Sequence, residues 1–153
     1  MNASKEKNDG ITFRPLTTAD IDAMIKVDEK IVQRARSSLF REKLEEQISK
    51  YGDESMGAFK GNLLIGYILA ETKVYIYGSD DLSAWITLLG VDPDYQDRGI
   101  GTALTRRMIE YFIQKGVKQI RTIAYWSWGD LVEFFNSVGF KLSDYLTLEL
   151  NIG

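Results

Sequence analysis

Residues 96–102 read Gln-Asp-Arg-Gly-Ile-Gly-Thr, a stretch whose residue types and spacing suit it to holding a diphosphate. The reason lies in the helix on its C-terminal side. Residues 100–115 repeat an apolar side chain every fourth position, at Ile100, Leu104, Met108 and Phe112, which predicts a helix with one apolar face. The first N–H groups of a helix have no intrahelical partner, and the aligned peptide dipoles add about half a positive charge at that end. Gly99 and Gly101 remove side chains where a diphosphate must approach the backbone, and either accepts a positive φ. The expected donors are the amides of Arg98, Gly99, Ile100, Gly101 and Thr102. Gln96 contributes a neutral amide, Asp97 lies within the same loop, and Arg98 either adds charge or faces solvent. The competing reading is a tight turn that needs small residues and binds nothing, and the spacing alone leaves both open.

Other chemistries are easier to exclude. The third glycine of a dinucleotide fingerprint is missing from residues 102–104, and no Gly-Lys-Ser/Thr for an NTPase loop occurs. The sequence has no cysteine, so disulfides, thiolate metal sites and a cysteine nucleophile are out. It has no histidine either, which removes the imidazole base and the Ser-His-Asp triad. No carboxylate cluster suggests a metal. Proton transfer is left to Glu, Asp, Tyr, Lys, water or the substrate itself. A net charge of −3 argues against a large nucleic-acid surface and is compatible with a cationic substrate.

The elements that must position residues 96–102 can be read along the chain. With 153 residues, 44% of them hydrophobic, the chain is expected to form a single domain over residues 11–153 behind a flexible tail at 1–10. The apolar runs are strand-sized and the start lacks a signal peptide's apolar centre, so a cytoplasmic location without membrane contact is expected. Residues 11–16 read as an opening strand, and Thr17 with Asp20 as a capping box for a helix reaching Lys30 or Val32. That helix carries Ile21, Met24, Ile25 and Asp28 as core residues. A second helix spans 38–50, with Leu39, Leu44 and Ile48 partly on one face. Residues 55–60 and 63–71 form a hairpin around Gly61-Asn62, and residues 75–81 form a turn. The central strand runs over 83–91, where Gly90 marks a bulge or a close backbone approach. Asp92-Pro93-Asp94 then turns the chain towards the glycine loop. Gly116 ends the long helix, 118–125 alternates as a strand, and Trp126 and Trp128 make an aromatic loop. A short helix capped by Asp130 and Glu133 ends at Gly139, and Leu146, Leu148 and Leu150 form a closing strand facing the core. The order β-α-α-β-β-β-α-β-α-β implies a mixed α/β fold with helices on both faces of the sheet.

The segment from Val91-Asp92-Pro93 through Tyr95-Gln96-Asp97-Arg98-Gly99-Ile100-Gly101 into an amphipathic helix resembles the acyl-CoA-binding segment of the GNAT superfamily of N-acetyltransferases. Its signature is Gln/Arg-x-x-Gly-x-Gly/Ala. Residues 130–140, a short helix ending in Gly-Phe, resemble the family's second segment. The resemblance implies a GNAT-like mixed central sheet of about six to seven strands flanked by about four helices, with acetyl-CoA as acyl donor and no metal. It implies that free backbone at Leu89, Gly90 and Val91 bonds the amide-rich pantetheine arm like an added strand. A main-chain amide near Leu89 would polarise the thioester carbonyl. The acceptor would be a primary amine of a small molecule or peptide, and a homodimer is compatible with such a fold.

The family's catalytic positions do not carry over. Relatives place a glutamate on the central strand, a tyrosine four residues before the Gly-Phe and an asparagine seven residues before that tyrosine; here residues 85–89 hold no acid, and the other positions are Phe135 and Trp128. The candidates that remain each have a plainer alternative. Glu71 faces the acceptor through a water or is a solvated strand-end charge. Asp130 is a catalytic residue or only a helix cap, and Tyr125 and Tyr145 replace the missing acid or merely pack. A site without a strong base favours an acceptor of low pKa. Deprotonating a lysine-type amine at pH 7 costs about 4.6 kcal/mol, against about 1.4 kcal/mol for an α-amine. The leading expectation is an acetyl-CoA-dependent N-acetyltransferase, and the alternative is an acyl-CoA-binding regulatory or interaction domain without catalysis.

Overall fold

The computed structural model describes residues 10–74, 81–125, 127 and 129–153. Two compact units divide the chain, Met1–Ile123 and Ala124–Gly153.

The first unit contains β1 (Ile11–Arg14), α1 (Ile21–Val32), α2 (Ser38–Tyr51), β2 (Ser55–Lys60), β3 (Leu63–Val74), β4 (Leu82–Val91), α3 (Ile100–Gln114) and β5 (Gln119–Thr122). Its five strands form one sheet in sequence order, antiparallel from β1 to β4 and parallel between β4 and β5. The β2–β3 hairpin turns at Gly61, whose φ of 60° is the left-handed conformation that glycine accepts without strain. The parallel step needs a crossover, and α3 supplies it.

Each face of the sheet is covered because each presents apolar side chains. On one face Leu16, Ile21, Met24, Val27, Leu44 and Ile48 cluster with Phe59, Tyr67 and Leu69. On the other, Ile100, Leu104, Met108 and Phe112 of α3 are all buried. A Cβ at Gly66 would stand 3.2 Å from Ile100 and 3.3 Å from Leu104, so β3 is glycine where α3 comes closest. Burying each large apolar side chain contributes about 1.5–3 kcal/mol, and this four-residue stripe is what fixes the start of α3 against the sheet. Gly116, at φ 75°, ends α3, and the Val117 amide returns to the Phe112 carbonyl at 3.0 Å.

The second unit contains α4 (Gly129–Ser137), with Gly139 in a positive-φ conformation behind it. Phe135 is buried, with edge contacts to Phe134 and Phe140.

Several expectations change. Among the described residues the sheet has five strands, not six to seven, and β5 is four residues long where eight alternate. Residues 141–153 contain no strand, and Leu146, Leu148 and Leu150 are exposed. Alternation marks which side chains share a face, but a strand also needs a neighbouring backbone to complete its ladder, and among the described residues none pairs with 141–153. Leu39 is exposed as well; α2 is held by Leu44 and Ile48, which are buried, and by Phe40, which packs partly buried against the same cluster. The turn at 75–81, apart from Asp81, and the aromatic pair Trp126 and Trp128 lie outside the described residues.

Candidate functional site

The chain between β4 and α3 is a 3-10 turn, Pro93–Tyr95, followed by two left-handed residues, Asp97 at φ 60° and Gly99 at φ 80°. Gly99 is the residue before α3, so no side chain caps the helix. Its carbonyl receives the Ala103 amide at 2.9 Å, which leaves the amides of Ile100, Gly101 and Thr102 ahead of the first intrahelical donor. A Cβ added at Gly99 would meet nothing within 4 Å, so glycine is needed there for its backbone angle and the space above it is open. Backbone N–H groups opening into such space are a donor set that fits a diphosphate. The polar side chains expected to help are turned to bracing the loop. Gln96 donates its Nε2 to the Val91 carbonyl at 3.1 Å, and Arg98 donates Nη2 to the Asp94 carbonyl at 3.2 Å while lying over the Tyr95 ring.

Beside the loop, β4 outruns its parallel partner. Pairing with β5 stops at Ile86 opposite Thr122, where the Thr122 hydroxyl donates to the Ile86 carbonyl at 3.1 Å. Among the described residues no strand flanks that edge over residues 87–91. The Asp92 amide donates to the Ile65 carbonyl of β3 at 2.8 Å. Alternation along an antiparallel ladder then directs the amides of Leu89 and Val91 to the open edge and those of Gly90 and Asp92 to β3. The bulge in β4 falls at Thr87, opposite the step from Leu69 to Ala70 and not at Gly90. Thr87 is held there because its hydroxyl accepts from Gln47 of α2 at 2.6 Å and donates to the Leu69 carbonyl at 3.3 Å. Gly90 is instead the close approach: a Cβ there would stand 2.6 Å from the Tyr67 hydroxyl and 2.9 Å from Ile31 Cδ1.

Two polar links that periodicity does not reveal lock α1 to this edge. Lys30 donates to both Asp92 oxygens, at 2.6 and 2.8 Å, and to Asp94 at 3.0 Å, tying α1 to the loop before the glycines. Burial works to raise the Asp92 carboxyl, but Lys30 and the Asp94 amide outweigh it and hold the group below the ordinary carboxylate value. The second link is buried. The Tyr67 hydroxyl donates to Asp28 at 3.1 Å, and Asp28 also receives Arg36 Nε. Burial, then the Asp28 charge, pushes the Tyr67 hydroxyl far above its usual value, so it stays protonated as a donor. Asp28 did carry a signal. A carboxylate on the apolar stripe of α1 must find partners or cost several kcal/mol, roughly the penalty for an unpaired buried charge.

Of the four candidate catalytic side chains, Glu71 lies in the first unit and the other three in the second. Glu71 pairs across the ladder with Trp85, beyond the Thr87 bulge from Leu89, and forms an ion pair with Lys73. Tyr125, Asp130 and Tyr145 belong to the second unit, and all three are exposed. Asp130 is the second residue of α4 and lies inside its first turn, so it complements the helix dipole without acting as the cap. Among the described residues no cluster of three or more metal-ligating side chains occurs, and no helix is long and apolar enough to cross a membrane.

This architecture has known counterparts. Residues 22–140 match the family model of the acetyltransferase (GNAT) family. Among solved structures, an aminoglycoside acetyltransferase from an uncultured soil metagenomic sample superposes with a TM-score of 0.75 at 17% identity, covering 95% of this chain and 99% of that one. An aminoglycoside N-acetyltransferase in complex with CoA gives 0.76 at 14% identity, covering 92% and 94%. A ribosomal-protein-alanine N-acetyltransferase from Brucella melitensis biovar Abortus gives 0.73 at 14% identity, covering 94% and 99%. At such identities the structures speak for the fold, whereas the family model spans most of the chain: it belongs to the GNAT acetyltransferase family.

Proposed function

We propose that the protein transfers an acetyl group from acetyl-CoA directly to a primary amine of a small molecule or peptide. The observation that carries this is the uncapped start of α3 standing at the end of an open β4 edge, within one rigid loop. The amides of Ile100, Gly101 and Thr102, with those of the loop around Arg98 and Gly99, suit the diphosphate. The amides of Leu89 and Val91 suit an amide-bearing arm laid along the edge. When bound, acetyl-CoA supplies an activated acetyl thioester. The chain supplies position and a backbone dipole: a fixed amide at Leu89 can stabilise charge developing on an oxygen beside it. Direct transfer agrees with the absence of cysteine.

The acceptor must lose its proton to a weak base or to water. Residues 85–89 hold no acid, and Glu71 is engaged by Lys73. An α-amine or other amine of low pKa therefore suits the site better than a lysine side chain. Acetyltransferases of this fold act on aminoglycosides and on a ribosomal-protein alanine, as their names state, which supports a small-molecule or peptide amine. The same lack of an acid favours one second reading, a domain that binds acyl-CoA without turnover. Free thiol released from acetyl-CoA over a panel of amines at neutral pH separates the two. Turnover with α-amines outpacing lysine-type amines supports transfer; CoA binding without thiol release from any amine supports the binding domain.

A further inference from the structure

Between the end of α1 and the first turns of α2 lies a cleft of about 590 Å³, within the size range of small-molecule sites. Arg34, Arg36, Ser37, Phe40 and Lys43 line it, and none of its lining residues is acidic. A chain of net charge −3 has gathered three cations there. Their own partners leave charge available. Lys43 pairs with Glu46 at 2.8 Å, but both side chains are about two-thirds exposed, so water screens the pair heavily. Among the described residues Arg34 has no ionic partner. Arg36 is different, because Asp28 takes its Nε, the Glu29 carboxylate receives its backbone amide at 2.9 Å, and its guanidinium lies over the Phe40 ring at 4.4 Å. Asp28 is 4% exposed and is itself held by the Tyr67 hydroxyl. A buried carboxylate thus fixes the stem of the guanidinium, while its two terminal nitrogens make no hydrogen bond to the described residues. A guanidinium held this way is preorganised to form paired bonds to an oxyanion.

The cleft is also placed correctly. Ile31, three residues before Arg34, is the side chain that would meet a Cβ at Gly90, and the Tyr67 hydroxyl that fixes Asp28 is the other. The chain formed by the Arg36–Asp28 ion pair and the hydrogen bond from Tyr67 to Asp28 therefore ends beneath the same residue of β4 that borders the open edge.

We propose that this cleft recognises an oxyanion on the acceptor, so that the amine substrate also carries a carboxylate or a phosphate ester. Arg34, Arg36 and Lys43 bind that group, and the amine is presented towards β4. Bare polycations are disfavoured. The inference rests on the transfer reaction proposed above for the identity of the ligand, but its binding test does not need turnover.

The probes are 4-aminobutyrate against 4-aminobutyramide, and phosphoethanolamine against ethanolamine. Each is titrated calorimetrically into the full chain saturated with CoA, which permits no acetyl transfer. The acids are expected to bind roughly tenfold more tightly than their neutral partners, the usual size of a charge-assisted contact. That excess is expected to shrink in the Arg34→Ala, Lys43→Ala double variant, which keeps Arg36 and whose affinity for CoA is unchanged; both positions are exposed, so the fold is not at stake. Whichever of the two acids gains more tells carboxylate from phosphate. Equal binding of acid and neutral forms overturns the proposal, as does an excess that is undiminished in the double variant. Competition between the acids and CoA also overturns it, since the cleft would then belong to the cofactor. Thiol release from acetyl-CoA is followed separately. Arg34-dependent binding of the acids, with no release from any amine including α-amino acids, leaves the oxyanion site standing and removes the transfer reaction. Release from neutral and acidic amines at equal rates keeps the reaction and removes the oxyanion site, and so does a best rate with spermine.

Discussion

Replacing Gly90 with alanine puts a methyl group 2.6 Å from the Tyr67 hydroxyl, 2.7 Å from its Cζ and 2.9 Å from Ile31 Cδ1. The Ile31 methyl is the end of a flexible side chain and can turn aside. Tyr67 cannot, because it is fully buried and its hydroxyl is held by Asp28, which in turn holds Arg36. Overpacking a core site by one methyl costs about 1–3 kcal/mol. Displacing the tyrosine also removes a hydrogen bond to a charged group, worth about 1.5–3 kcal/mol. The expected loss is therefore roughly 3 kcal/mol, towards the low end of those ranges combined. With a urea slope of about 2 kcal/mol per molar, the unfolding midpoint falls by about 1.5 M. Gly129→Ala is the control, since its added methyl meets nothing within 4 Å. Its midpoint is expected to match the wild type to within about 0.5 M, the equivalent of roughly 1 kcal/mol. If Gly90→Ala unfolds at the wild-type midpoint, the close approach between β4 and Tyr67 is wrong, and with it the physical link from the β4 edge to Arg36.

Lys30→Met removes the clamp between α1 and the loop ahead of the glycines; CoA affinity should fall several-fold by calorimetry while helix content by circular dichroism stays unchanged, and unchanged affinity would show that the loop holds its shape without the clamp. Acid stability gives a signed test. The hydrogen bonds from Arg14 hold Asp20 below the ordinary carboxylate value, against the opposing effect of burial, and Asp92 is depressed as well. Unfolded aspartate titrates near pH 3.9, so each carboxylate contributes stability that is present above about pH 4 and is lost as the pH falls through its lower folded value. Arg14→Met should lower stability at pH 7 and flatten the acid limb of a pH-stability profile; a limb of unchanged steepness would show that Asp20 does not drive it.

What was legible in the sequence is what is local. The fourfold repeat from Ile100 to Phe112 is written within one helix, and all four residues are buried as read. The hairpin at Gly61-Asn62 and the helix end at Gly116 are written in residues whose conformational needs are their own. The backbone geometry of the candidate site was legible, in the positive φ of Gly99 and the uncapped helix start behind it. The bonds made by the polar side chains of the same loop were not. Gln96 and Arg98 are polar and well placed, yet each bonds a carbonyl of its own loop. The links from Lys30 to Asp92 and from Tyr67 to Asp28 join residues 62 and 39 positions apart, and no periodicity reports such partners. Register is equally nonlocal: the bulge sits at Thr87 because Gln47 of another element reaches it, and nothing in residues 83–91 distinguishes Thr87 from Gly90 as its place.

Calorimetric titration of acetyl-CoA into the wild type and Gly101→Glu tests the central claim most directly. Gly101 is the second residue of α3, so the new carboxylate stands among the amides of Ile100, Gly101 and Thr102 and repels a diphosphate there. Two unit charges about 4 Å apart repel by about 1 kcal/mol in water and about 4 kcal/mol near a protein surface, so affinity should drop roughly fivefold to a thousandfold. Saturable wild-type binding that collapses in the variant, with circular dichroism unchanged, is the predicted result. Wild-type protein that does not bind acetyl-CoA, or a variant that binds it as well as the wild type, would mean that residues 96–102 are a turn and no more.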